Sequence, residues 1–135
     1  MPDLNLNAFV RGMTMNESII IVESTDMPKN SEVVFDKLMS MLNSSGCVKD
    51  IETVESDIKA RDWVSGSGTR NNLCMHHAKT DGVSGFCAAV IMYPGNVAYG
   101  VFAWPENTDS NLQLIATVFD RMEKIQLKRQ HRKAA

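Results

Sequence analysis

Between Arg61 and Lys79 the chain gathers three residue types that can handle a phosphoryl group. Arg61 supplies a planar guanidinium, which holds phosphoryl oxygens through paired hydrogen bonds. The run Ser65-Gly66-Ser67-Gly68 offers two hydroxyls and a backbone pliable enough for N–H groups to approach an anion closely. A short apolar stretch then leads to the adjacent His76 and His77. An imidazole can serve as nucleophile or base near neutral pH. Each residue also has a plainer use. Arg61 can balance a helix C-terminus, Ser65, Ser67 and Asn71 can serve turns, and a histidine at a strand end can simply be hydrogen-bonded. Residue types alone suggest a phosphate site without establishing one.

Elements on either side must position these groups. Ser18 to Val22 is short, β-branched and apolar, which predicts a buried strand. Thr25 to Asn30 reads as a loop, Pro28 opposing helix just before it. Ser31 is placed to cap a helix carrying Val34, Phe35, Leu38, Met41 and Leu42 as far as Ser44, with Gly46 ending it in a left-handed conformation. Asp50 is placed to cap a second helix, whose apolar stripe is Ile51, Val54, Ile58 and Trp63. After the Ser/Gly loop, Leu73–His77 and Phe86–Met92 read as strands separated by a polar turn at Asp81-Gly82. Pro94-Gly95-Asn96 predicts a tight turn into a partner strand, Val97–Trp104. Leu112, Ile115, Ala116, Phe119 and Met122 then mark the apolar side of a last helix, with Asn111 at its start. Trp63 and Trp104 read as packing residues. Helices before and after a cluster of strands predict an α/β domain, a layered sandwich with a mixed central sheet flanked by helices.

The 135 residues are 44% hydrophobic and 22% charged, the make-up of one ordinary globular domain with a real core. Residues 1–16 show no period and read as a loose leader; 17–124 form the domain, and 125–135 a basic tail that reads as a solvated, fraying helix end. A net charge of -2 gives no general attraction to nucleic acid or anionic membrane. No apolar run is long enough to span a bilayer, and the first residues lack the pattern of a secretory signal. Cys47, Cys74 and Cys87 form no Cys-x-x-Cys pair, so three reduced thiols in a cytoplasmic protein are expected. Cys74 and His76 share a strand face that Cys87 could join, yet zinc requires a fourth ligand and recognisable spacing. No metal or other cofactor is expected.

Taken together, these residues resemble the fructose/mannitol-type (type 2) enzyme IIA domain of the bacterial phosphoenolpyruvate-dependent sugar phosphotransferase system. That family has Arg-Glu at a helix end, a Ser-Thr-Gly-x-Gly-Asn-Gly loop, an apolar strand, and Pro-His-Ala or Pro-His-Gly at the phosphorylated histidine. Here Arg61-Asp62 stands for the Arg-Glu, Gly66-Ser67-Gly68-Thr69-Arg70-Asn71-Asn72 for the loop, and Met75-His76-His77-Ala78 for the histidine segment, without a gap. The resemblance covers roughly residues 15 to 124. It implies an enzyme IIA-like fold and a phosphohistidine carrier that takes a phosphoryl group from the carrier protein HPr and passes it to a IIB component. His77 is then the nucleophile and Arg61 its cation, with Ser67, Asn71 and Asn111 binding or supporting phosphate. Alternation along a strand would put His77 in the site and His76 across the sheet. Departures exist: Asn111 stands where the family has a second histidine, His76 replaces proline, and the Met92–Val97 connection is short. A regulatory or degenerate relative acting through protein binding is therefore the alternative.

Overall fold

The three consecutive isoleucines after Ser18 form the edge of a central sheet, strand β1 (Ser18–Glu23). The computed structural model describes residues 18–60, 64–66, 72–106 and 112–134. Helices α1 (Ser31–Asn43) and α2 (Ile51–Lys59) follow β1, then strands β2 (Val64–Gly66), β3 (Asn72–Lys79), β4 (Cys87–Tyr93) and β5 (Val97–Trp104), and finally helix α3 (Leu112–Ala134). The strands lie in the order β1-β4-β5-β3-β2. Pairs β1/β4 and β3/β5 are parallel, while β4/β5 and β2/β3 are antiparallel, so the sheet is mixed.

Strand β4 lies between β1 and β5 and is buried along its whole length, as its unbroken apolar sequence demands. Its side chains alternate between two cores. Cys87, Ala89, Ile91 and Tyr93 meet α1 and α2 through Val34, Phe35, Leu38, Leu42, Val54 and Ile58. Ala88, Val90 and Met92 join Val118 and Met122 of α3 on the other face. Helices thus cover both sides, in the layered α/β arrangement expected. Leu38, Leu42, Ile58 and Met122 are fully enclosed. Side chains of this size contribute about 1.5–3 kcal/mol each when fully buried.

Local signals act largely as expected, with some corrections. Asn30, not Ser31, caps α1: its side-chain oxygen accepts from the Val33 N–H at 2.9 Å, and Ser31 is the first helical residue. Met39 joins the buried side of α1, which the spacing had not singled out. Gly46 does take the left-handed region, at φ +90°. Asp50 does cap α2, accepting from the Thr53 hydroxyl at 2.7 Å and the Thr53 N–H at 3.3 Å. Those bonds hold its carboxyl below the ordinary aspartate value. Pro94-Gly95-Asn96 turns β4 into β5, with Gly95 and Asn96 both at positive φ. Ala116 faces outward on α3; Leu114 and Val118 pack inward with Ile115, Phe119 and Met122.

Three larger differences concern the ends, the cysteines and the Ser/Gly run. Helix α3 continues to Ala134, and the stretch past 124 is packed against the sheet where a solvated, fraying helix end was expected. Ile125 packs on the core, Gln126 is buried and donates to the Asn96 side chain, and Arg129 donates to the Met92 and Tyr93 carbonyls at 3.1 and 3.0 Å. The same guanidinium stands 3.7 Å from the Glu23 carboxylate. Arg129 therefore locks α3 to the sheet, while Lys128 is exposed. Secondly, Cys47 and Cys87 are joined in a disulfide, and only Cys74 of the described cysteines is free. The bond ties the α1–α2 link to the first residue of β4, which overturns the expectation of three reduced thiols. Lastly, Ser65 and Gly66 of the supposed loop are strand: with Val64 they pair antiparallel with Leu73–Met75. Trp63 and the 1–16 leader lie outside the described residues.

Two predictions follow from this framework. A Cβ on Gly82 would come within 2.6 Å of Val54 Cγ2 and 2.7 Å of the Asp50 carbonyl oxygen. Gly82→Ala should lower the urea midpoint by an amount equivalent to about 1–3 kcal/mol, the usual cost of overpacking. An unchanged midpoint would contradict this close approach of the β3–β4 turn to α2. The disulfide spans a sequence separation of 40 residues, and loop entropy assigns such a link about 4 kcal/mol. Thiol titration of denatured, unreduced protein should find one free thiol per chain; three would refute the pairing.

Candidate functional site

β3 ends its run of apolar side chains with two histidines, and the two cores send these in opposite directions. Ala78 packs in the α1/α2 core, whereas Leu73 and Met75 pack in the α3 core. His76 follows the first set and His77 the second. His76 is 7% exposed and its ring meets Phe35 of α1 edge-on, with centroids 5.3 Å apart. His77 is only half-buried. Its ring lies parallel to the Trp104 indole, 6.0 Å between centroids and 4° between planes. Trp104 in turn lies nearly parallel to Phe86, which is buried and edge-on to Phe102.

The position along the sheet matters as much as the face. β3 and β5 run parallel, so their carboxyl ends coincide, with Lys79 opposite Trp104 and His77 opposite Phe102. Helix α3 returns from this end, since its later residues Gln126 and Arg129 reach the β4–β5 turn at the opposite end. Its first turn carries no acidic residue. Helix N-termini present unsatisfied N–H groups and a partial positive charge, and carboxyl ends of strands are where open α/β sheets commonly bind ligands.

Lys79 was not singled out from the sequence, although alternation could have found it. It lies two residues beyond His77 on the same strand, hence on the same face and about 7 Å along the chain. It is exposed, so its ammonium is available to an anion approaching His77. Of the other residues expected in the site, Arg61, Ser67, Asn71 and Asn111 lie outside the described residues. Ser65 belongs to β2. What is placed, then, is the imidazole, its aromatic neighbour and one cation on its face.

Around the corner of the same sheet end is an open cleft of about 520 Å³ lined by Lys49, Asp81, Val83, Ser84, Pro105 and Glu106. His77 is not among its walls. The zinc grouping considered for Cys74, His76 and Cys87 loses a member to the disulfide. Among the described residues no group of three His, Cys, Asp or Glu could hold a metal ion. No helix among them is long and apolar enough to cross a membrane. Comparison with protein-family models, with curated proteins and with solved structures finds no match for the chain.

The contrast between the two histidines is open to direct measurement. Brief treatment of the native protein with diethylpyrocarbonate, followed by peptide mass mapping, should modify His77 well before His76. The enclosed ring at 76 should react at a comparable rate only after denaturation. Equal rates in the native state would contradict the assignment of the two rings to opposite, unequally covered faces.

Proposed function

We propose that this protein is a phosphohistidine carrier of the type 2 enzyme IIA kind, accepting a phosphoryl group from HPr on His77 and passing it to a IIB component. The observation that carries the reading is the difference between neighbouring imidazoles. His77 is half-buried at the carboxyl end of β3, while His76 is enclosed beneath α1. The layered α/β architecture is compatible with the enzyme IIA-like fold that the resemblance implies, and that finer assignment belongs to the same proposal.

The chemistry asked of the site is modest. A nitrogen lone pair of neutral His77 attacks phosphorus, the new P–N bond forms, and the P–N bond to the donor imidazole breaks; the proton on the other His77 nitrogen is given up to solvent, and the departing donor imidazole takes one up. Charge on the phosphoryl oxygens has to be matched and the line of attack held, which positioning and fixed donors can do without a metal. In this reading Arg61 and Lys79 supply positive charge. Ser67 and Asn71 donate hydrogen bonds, and Asn111 contributes an amide donor where the family has an imidazole. Lys79 helps to offset that exchange, because an amide carries no charge. As a partner of HPr and a IIB component the protein acts in the cytoplasm and inserts in no membrane. Reduction of the Cys47–Cys87 bond there is hindered by the enclosure of both residues, which are 1% and 0% exposed.

The alternative is a regulatory relative that works by binding proteins without efficient transfer. It draws on Asn111 and on the three-residue β4–β5 turn, Pro94-Gly95-Asn96. One experiment separates the two. Incubation with phosphoenolpyruvate, enzyme I and HPr should place acid-labile phosphate on His77, and His77→Ala should abolish it. Label on His76, or none on the wild-type chain, would sink the relay. Absence of label combined with retention of a purified IIB protein in a pull-down would favour the regulatory reading.

A further inference from the structure

An imidazole attached to a strand is not oriented by its backbone. The terminal torsion of a histidine side chain is broad, so a half-exposed ring samples many planes unless something packs against it. At His77 something does. The Trp104 indole lies 4° from parallel with the imidazole at a 6.0 Å centroid separation, within the range of offset-stacked aromatic pairs. The pair follows from register. His77 is opposite Phe102 and Lys79 is opposite Trp104, so His77 and Trp104 are diagonal neighbours on the α3 face.

Trp104 can impose order because it is itself held on several sides. Its carbonyl accepts from the Thr80 N–H at 2.8 Å, which fixes the end of β5 against the end of β3. Its ring lies 15° from parallel with Phe86 at 6.2 Å. Phe86 is 1% exposed and contacts Phe102 edge-on, so the series of rings is rooted in the core. We infer that Trp104 sets the plane of the His77 imidazole and is a positioning residue for the phosphoryl acceptor. This rests on the reading of His77 as that acceptor. Transfer from a docked donor is sensitive to small misalignments, so a ring with a preset plane loses less freedom on reaching the reactive geometry.

Two substitutions and two readouts test the inference. Trp104→Phe keeps a flat ring beside His77, and Trp104→Leu keeps an apolar side chain without one. The order parameter of the His77 ring C–H bonds, from NMR relaxation of protein labelled in its histidine rings, reads the positioning directly. It should be near the rigid end of the scale (about 0.85) in wild type and Trp104→Phe, and fall below about 0.6 in Trp104→Leu. Transfer from phosphorylated HPr should slow by roughly two- to tenfold in Trp104→Leu, the range a single aromatic contact supports, and be largely rescued by Trp104→Phe. Equal ring order in wild type and Trp104→Leu would overturn the inference, as would a ring freed by Trp104→Leu with no change in transfer rate. If HPr labels none of the three proteins, the relay reading falls, and ring order alone decides whether Trp104 sets the plane.

Discussion

A sheet covered on both faces leaves each strand residue a choice of two interiors, and that constraint organises this molecule. β4 shows it most plainly, with four side chains packed under α1 and α2 and three under α3. The same alternation passes along β5 into β3, where it meets two histidines in succession. Neither could change sides without shifting the whole strand by a residue, which would exchange every inward side chain of β3 between the two cores. The separation of His76 from His77 is therefore maintained by the apolar neighbours at 73, 75 and 78 more than by the histidines themselves.

The carboxyl end of β3 inherits its geometry from this packing. Trp104 closes β5 at the level where β3 gives way to the Asp81–Gly82 turn, and its ring lies between the enclosed Phe86 and the more open His77. Lys79 adds a charge on the same face, and α3 starts from the same end of the sheet. An imidazole, a flat wall, a cation and a helix start thus lie at one end of the sheet. The proposed phosphoryl relay uses each of them in the role its physical properties favour. The opposite end of α3 is fastened separately, through Arg129 and Gln126.

Much of the fold was legible in short-range patterns. β-branched runs marked β1, unbroken apolarity marked β4, and Pro94-Gly95-Asn96 marked the hairpin between β4 and β5. Asp50 announced α2 because a short acidic side chain just before an apolar stripe can satisfy otherwise unpaired N–H groups. The errors share a cause as well. Asn30 and Ser31 are both good caps by residue type; Asn30 has the extended backbone of a cap, and Ser31 is already helical. Ser65 and Gly66 looked like loop because Gly and Ser have low strand propensity, yet pairing with β3 overrides a local preference of that size. The basic residues after 124 looked solvated, and it took the ends of β1 and β4 to give Arg129 its partners.

From the sequence alone came the types and order of the elements, the layered α/β class, and the prominence of His77 in a motif-like stretch, because these depend on periodicity and spacing within a few residues. Tertiary structure decided what depends on residues far apart in the chain meeting in space. It joined Cys47 to Cys87 across 40 positions and set Trp104 against His77. Periodicity can say that two neighbouring histidines face opposite ways. Only the assembled layers can say which side is enclosed by α1 and which remains open, since burial belongs to the elements that pack together and not to the strand by itself.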